Sequence, residues 1–375
     1  MHSPITNCYE PGAHRPKLDV ERTPIYEPVD TWAYSHHPSI SFFEGRFYAS
    51  WSNGRRDEDA PGQRVMLAAS SDFQSWTEPR PLVDTLRGRH SELVLTAAGF
   101  HGYQGTLVAY FGQYEYSPEC IEKGTRRSGP GSRAHQDTCL RALSTTDGVT
   151  WSDIHDLGLP IVPNHPPQGT ASGRLIICGN ISYPYTDDPS GLSGWKMTGI
   201  YPVEMEGDLQ DDSEGFGLVR QRMGWSSGLC EGSFYQTDDG IVHMLLRSGT
   251  GRLWVTESRD DGATWAPPVE TDFTDNGTKF HFGRLPDGRF YYVGCPDPEP
   301  RGERNPLVLS LSENGVRFDR HHILADEPYQ RKQEGLHKHG QYGYPHTMVH
   351  HGSLHVIVSR QKEAVEVLRT SIGRL

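Results

Sequence analysis

The sequence predicts an all-β protein, a six-bladed β-propeller with seven blades as the alternative, and three observations lead there. The first is a recurring motif. Ser258-Arg-Asp-Asp-Gly-Ala-Thr-Trp265 returns with the same spacing at Ser144 to Trp151, and one residue shorter at Ser70 to Trp76 and Ser312 to Phe318. Each copy reads as a strand ending in a hydroxyl residue, a turn of Asp, Asn or Gly, and an aromatic ring folded back under the corner. Asp and Asn side chains bond the backbone just ahead of them, and Gly accepts positive φ. Four copies in register indicate a repeat architecture. The second observation is periodicity: no window sustains apolar i, i+3, i+4, i+7 spacing, whereas Val242 to Arg247 and Phe290 to Val293 read as strands. The third is composition, since 41 Gly and 27 Pro in 375 residues suit many turns and few long helices.

A propeller blade is a four-stranded antiparallel meander with its first strand innermost. If the aromatic turn joins the third and fourth strands, the blades can be counted. The stretch between Trp151 and Trp265 has room for one blade whose turn has decayed, and the chain after Phe318 holds one more. The first blade runs from Pro38 through Phe47 to Trp51 and Val65 to Ala69. The second has Leu93 to Leu95, Leu107 to Phe111 and a long loop at 115–137. The third has Ser172 to Cys178, a loop at 182–195 and an acidic insertion at 204–215. The fourth follows Gly232 to Tyr235, Val242 to Leu246 and Leu253 to Glu257. The fifth repeats that plan from Lys279 through Leu307 to Leu311, and the sixth has His346 to Val349, Leu354 to Val358 and Val365 to Leu368. Its missing outer strand is expected from the segment around Thr23 to Trp32, so that residues 1–375 form one closed propeller domain. Closure removes an edge that would otherwise invite pairing with other chains.

Charge and cysteines exclude several classes. A net charge of −12 argues against a nucleic-acid partner, which needs a basic face. No apolar run approaches the roughly 20 residues of a membrane span, and Met1-His-Ser-Pro lacks a signal-peptide core. The expectation is a protein with no membrane partner, either cytoplasmic or a secreted mature form. Six Cys without metal-type spacing do not make a disulfide scaffold. Cys178, Cys230 and Cys295 read as buried thiols, and Cys120 and Cys139 flank one loop and would pair in an exported protein.

Strand direction alternates within a blade, so the loops fall on two faces. The Asp/Gly turns and the aromatic turns share the regular face. The loops before each inner strand and after each second strand share the other, and function is expected there because variable loops are held by a rigid scaffold. Inner-strand entries on that face carry His36-His37-Pro38, His90, His165, Glu231, Lys279 and His281, and Tyr344 with His346. Second-strand exits carry Arg55, Arg247, Arg304 and the run Arg360-Gln-Lys362. A ring of His, Arg, Glu and Tyr around a channel mouth is a coordinated set of site candidates.

With these residues in view the chain resembles the sialidase superfamily, whose Asp-box (BNR) repeats follow Ser-x-Asp-x-Gly-x-Thr-Trp. The resemblance implies a sialidase-like propeller over the boxes from 70 to 318. Sialidases bind a carboxylate with three Arg, use a Tyr/Glu pair as nucleophile and an Asp as acid/base. Glu231 with Arg247 sixteen residues on resembles the family's Glu and second Arg; Arg304 resembles the third Arg, and Tyr344 sits where the Tyr would. The first Arg is replaced by His36-His37-Pro38, and Asp57 and Asp59 are the candidates for the acid/base.

Two guanidiniums, several imidazoles and a Tyr also resemble the propeller-fold polysaccharide lyases that act on rhamnose–glucuronate glycans and on ulvan. Arg grips carboxylates bidentately, and neutralising a uronate carboxylate acidifies the proton at C5. The leading expectation is therefore a lyase cleaving an acidic oligo- or polysaccharide by β-elimination beside glucuronate. His165, His37, Tyr344 and Glu231 are its candidate catalytic residues. Arg247, Arg304, Lys279, His281, His90, Arg55 and His346 are its substrate-binding candidates. The alternatives are a sialidase-type exo-glycoside hydrolase and a non-catalytic propeller that binds glycan or protein. No cofactor is required, though His337, His339 and His346 with His37 are candidates for a divalent metal. The loops at 115–137, 182–195 and 296–304 are expected to wall the channel.

Overall fold

The computed structural model describes residues 3–126, 134–201 and 228–375. The expected acidic insertion at 204–215 and part of the 115–137 loop lie outside the described residues. Among those described, six antiparallel sheets follow one another along the chain, five of four strands and one of three. They are the blades of a sialidase-like propeller.

The first blade comprises Tyr34–Phe43, Arg46–Gly54, Arg64–Ser70 and Arg80–Val83, and the second Val94–Tyr103, Thr106–Tyr116, His135–Thr145 and His155–Asp156. Between the second and third strands of the second blade lies a short helix, Pro118–Lys123. It is capped by the Ser117 hydroxyl at one end and left-handed Gly124 at the other. The third sheet is the smallest, with Gln168–Gly169, Leu175–Ile176 and Tyr185–Thr186. The fourth blade has Cys230–Gln236, Val242–Arg247, Arg252–Ser258 and Val269–Thr274, and the fifth His281–Arg284, Phe290–Gly294, Leu307–Ser312 and Arg320–Ala325. In the sixth, Gly343–His350, Ser353–Arg360 and Ala364–Ser371 are joined by Glu21–Tyr26, which pairs antiparallel with Ala364–Ser371.

Apolar clusters fill the wedges between neighbouring blades. Ile40, Ala49, Trp51 and Phe73 of the first blade pack with Ile357 and Val365 of the sixth. Tyr48 and Leu67 meet Phe100 and Leu107 of the second. Further clusters join the second to the third, the third to the fourth, the fourth to the fifth and the fifth to the sixth. Burial of these side chains is the main force holding the ring. Ahead of Glu21 the chain runs along the outer edges of the fourth and fifth blades. There Thr6 bridges to Asp272 and Arg317, and Lys17 to Ile323, covering edges that would otherwise stay unpaired.

The repeated turns obey one hydrogen-bond rule. The Ser70 hydroxyl accepts from Phe73 N at 2.8 Å while Asp72 accepts from the N–H groups of Gln74 and Ser75 at 2.9 and 2.7 Å. Thr145 with Asp147, Ser258 with Asp260 and Ser312 with Asn314 repeat it. The decayed copy is in the third blade. Thr186 accepts from Asp188 N, Asp188 accepts from Ser190 N, and the Trp195 indole N–H closes on the Gly191 carbonyl. Most of the 182–195 stretch is therefore a turn of the regular face rather than a wall of the channel mouth. None of the six cysteines is in a disulfide. Cys120 and Cys139 therefore do not pair, and Cys230 is only partly buried.

Candidate active site at the channel mouth

Three inner strands are distorted in the same way as they reach the irregular face. The pairing register slips between His36 and Ser39, between Cys230 and Ser233, and between Gly343 and His346. Within these bulges His37, Glu231 and Tyr344 adopt φ of 53°, 52° and 52°. A non-glycine residue in this left-handed region carries strain, and a bulge re-aims its side chain. The result is that three blades turn one side chain each into the channel mouth. Arg304, also left-handed at φ 56°, enters from the loop after the second strand of the fifth blade.

These side chains line a cleft of about 510 Å³ together with Asp59, Arg247, His337, His339 and Lys362. At its floor the Tyr344 hydroxyl donates to Glu231 Oε1, and Arg247 Nη1 donates to Glu231 Oε2 at 2.6 Å and to the Tyr344 oxygen at 3.2 Å. The Arg304 guanidinium lies 5.6 Å from the Tyr344 ring centroid, and its Nε and Nη1 are buried without a partner among the described residues. Its backbone N–H is held by Asn276 Oδ1 at 3.0 Å. Gly340 lies against its stem, and a Cβ there would come within 2.5 Å of Arg304 Cδ.

Burial works to raise the Glu231 carboxyl's pKa, but Arg247, the Tyr344 hydroxyl and Arg304 outweigh it and the net direction is down. Burial, then the Glu231 charge, push the Tyr344 phenol well above its usual value. Glu231 is thus an anion beside a neutral phenol, the arrangement of a base poised on a nucleophile. Asp59 is the opposite case: burial and neighbouring Glu58 raise it to about 6. Glu58 itself stays ionised because Lys362 Nζ donates to it at 2.6 Å and outweighs its desolvation. Burial lowers His37 to about 4, so it stands in the cleft as neutral imidazole.

Beneath this floor lies a second layer. His165, His281 and His346 stack, with ring centroids 5.1 Å apart for the first pair and 4.6 Å for the second. Burial holds all three neutral, His281 being lowered to about 3. Their nitrogens lie close enough to suggest a metal, but their partners fix the tautomers. Ile40 N donates to His346 Nδ1 at 3.3 Å, which puts its proton on Nε2, while His281 takes Thr347 N on Nδ1 at 3.0 Å and meets the Gln168 side-chain amide through Nε2 at 3.2 Å. His165 Nε2 meets the Phe280 carbonyl at 2.9 Å and must carry a proton too. Both His281 nitrogens, His346 Nδ1 and His165 Nε2 are thus engaged by protein groups, while His165 Nδ1 has no partner among the described residues, so the stack does not fit a cation. His36, His37 and Glu58 also converge, but Glu58 is paired to Lys362 and Arg304 adds a second positive charge nearby, which disfavours a divalent ion.

Of the residues singled out from sequence, His37, Glu231, Arg247, Arg304, Tyr344, His337 and His339 meet at the cleft. His165, His281 and His346 do not; they are 2%, 5% and 6% exposed in the layer below. His346 is thereby separated from His337 and His339 at the rim. Lys279 is fully buried under Tyr344 and cannot orient a sugar hydroxyl. Arg55 is exposed and paired with Glu92, and exposed His90 lies outside the cleft, its backbone N–H donating to Glu115. Sequence reasoning missed Glu58, left Asp59 undistinguished from Asp57, and placed Lys362 on this face in the run Arg360-Gln-Lys362 without giving it a role. The signal for Glu58 was slight, a run of carboxylates after the first blade's second strand.

Comparison with known proteins places the fold. A family model described as a BNR repeat-like domain matches residues 45–356. No curated protein sequence matches the chain. Among solved structures, one named as a sialidase aligns at 19% identity with a TM-score of 0.64, over 95% of this chain and 33% of its own. A Trypanosoma rangeli sialidase solved with sialic acid aligns at 14% and 0.63, over 96% and 60%. A Dyadobacter fermentans protein of unknown function aligns at 15% and 0.62, over 94% and 99%. The chain thus spans a third of the first sialidase and under two thirds of the second.

Proposed function

The chain belongs to the BNR repeat-like domain family, and from that premise we propose that it is a carbohydrate-active enzyme, a retaining glycoside hydrolase of sialidase type acting on a terminal acidic sugar. The observation that carries this reading is the Tyr344–Glu231 hydrogen bond bridged by Arg247 in a cleft that also holds Asp59.

Arg304, with two unpartnered nitrogens, and Arg247 offer a two-guanidinium grip for a carboxylate. A carboxylate at the reacting carbon would repel an anionic nucleophile, and a neutral phenol avoids that repulsion. In the first step the Tyr344 oxygen bonds to the anomeric carbon as its proton passes to Glu231. The glycosidic bond breaks and Asp59 gives its proton to the leaving oxygen. In the second, water bonds to that carbon and loses a proton to Asp59, while Tyr344 departs and recovers its proton from Glu231. Two displacements retain the anomeric configuration. The similar structures named as sialidases agree with this reading at the level of fold, and His36-His37 in place of a third guanidinium makes the anion grip weaker than a three-Arg one.

Mass spectrometry of products from sialylated and uronate-containing glycans tests the reading. The expected result is release of a terminal acidic sugar with gain of water, abolished in Tyr344→Phe. A product with a new ultraviolet-absorbing double bond and no water gained refutes hydrolysis. It would favour the second reading, β-elimination beside glucuronate. One observation supports that reading: neutral His37 and Tyr344 stand side by side, ring centroids 5.2 Å apart, next to the two guanidiniums.

A further inference from the structure

Lys279 lies between the cleft floor and the imidazole stack. It is fully buried and its Nζ has no hydrogen-bond partner among the described residues, a costly state for an ammonium group. Five imidazoles surround it: His36 and His37 from the first blade, His165 from the strand entry of the third, His281 from the start of the strand that follows Lys279 and His346 from the sixth. Burial is the main cause of their depressed pKa, and the Lys279 charge acts in the same direction on each. None of them is an anion. Nζ sits 5.7 Å from the Tyr344 ring centroid, and the opposite charge it meets is Glu231 of the fourth blade, with Arg247 and Arg304 beyond.

We infer that Lys279 is a positioning residue, a counter-charge beneath the Tyr344–Glu231 pair that favours the pair's anionic form and eases the departure of Tyr344 from the sugar. The second half rests on the proposed hydrolysis. In the resting site the pair carries one negative charge, on Glu231. When Tyr344 bonds to the anomeric carbon its proton moves to Glu231 and the pair becomes neutral. When water breaks that bond, its electron pair returns to the Tyr344 oxygen, Glu231 returns the proton, and the negative charge reappears. An ammonium below stabilises the state with the bond broken, which makes the phenol a better leaving group. Burial lowers the Lys279 pKa to about 7 against the pull of Glu231, so this counter-charge is lost as pH rises through the neutral range.

The test begins without substrate. Nuclear magnetic resonance of the protein labelled with [13Cε]lysine should show one lysine titrating near neutral pH, absent in Lys279→Met. By reciprocity its midpoint should fall by a pH unit or more in Glu231→Gln. If no lysine titrates there, or the midpoint is unmoved by Glu231→Gln, the counter-charge is overturned. Lys279→Gln serves for the assignment if the Met variant fails to fold. On any glycan the protein hydrolyses, Lys279→Met should lower kcat tenfold or more with KM within twofold, because Lys279 does not touch the ligand; wild-type kcat would overturn the role. Coupling without turnover of any glycan keeps the charge pairing and sinks the hydrolase reading, and turnover without coupling does the reverse.

Discussion

Replacing Lys279 with Met should stabilise the protein, and by an amount that depends on pH in a predictable sense. The ammonium is fully buried with no partner, and burial lowers its pKa from 10.5 to about 7. Below pH 7 the group is protonated both folded and unfolded, and the fold bears the whole cost of the buried charge. At about 1.4 kcal/mol per pH unit the depression corresponds to roughly 5 kcal/mol. Between pH 7 and 10.5 the unfolded chain holds a proton that the folded chain has shed, so wild-type stability rises with pH. At pH 10 only about 1 kcal/mol of the cost is left. An unfolding entropy of about 2.1 cal/mol/K per residue gives this chain about 0.8 kcal/mol per kelvin. The Met variant should therefore melt about 6 °C above wild type at pH 6, narrowing to about 1 °C at pH 10. Thermal melts of the two proteins at paired pH values read the difference directly: groups away from Lys279 cancel because both proteins share them, and the groups it acts on, Glu231 and the five imidazoles, are held ionised and neutral respectively across this range. A gap that stays constant between pH 6 and 10, or a variant that melts below wild type, would refute the reasoning.

Further outcomes follow from the cleft and its supports. Asp59 must be protonated to act as an acid, so kcat/KM should fall as pH rises through about 6, and Asp59→Asn should lower turnover about a hundredfold, less on aryl glycosides whose leaving groups need no proton. Gly340→Ala forces a side chain onto a residue at φ +94°, 2.5 Å from Arg304 Cδ. It should weaken binding of a carboxylate ligand about tenfold by calorimetry, or about 1.4 kcal/mol, with the far-ultraviolet spectrum unchanged. Lys362→Met should destabilise the fold by about 3–5 kcal/mol in denaturant titrations at neutral pH, because Glu58 is left charged and without its partner. That deficit should shrink on acidification: the Glu58 pKa is depressed in the folded wild type, so the stabilisation Lys362 gives is lost as pH falls through that lowered value.

The scaffold was more legible in the sequence than the site, for a physical reason. Ser258 to Trp265 and its copies are local: a hydroxyl, an Asp two or so residues on and a ring close one turn by themselves, so spacing alone reveals them. The copy at Thr186 to Trp195 escaped because it lengthens that spacing while keeping its bonds. The site is assembled from separate blades, and residue type at a strand entry says little about depth. His37 and His346 both open inner strands, but the bulge turns His37 into the cleft while His346 follows the slip of its strand and points into the layer below. Lys279 likewise looked like a ligand contact, because nothing in one dimension shows that Tyr344 covers it. Glu58 and Lys362 are 304 positions apart, so their pairing has no local trace.

The way the sixth blade is put together also bears on when the site comes into being. Its outer strand, Glu21–Tyr26, waits for Ala364–Ser371 to be made, and the turn just before that strand carries Lys362 to Glu58 and Glu363 to Lys338, tethering loops on two sides of the cleft. Contacts of such sequence separation bear a large chain-closure entropy and form late. During synthesis the earlier blades can fold while the mouth stays open, and the cleft closes only when the last strand locks onto the first. Ligand binding should accordingly be the final property to return on refolding, in step with the docking of Glu21–Tyr26 rather than with the bulk of the β-structure.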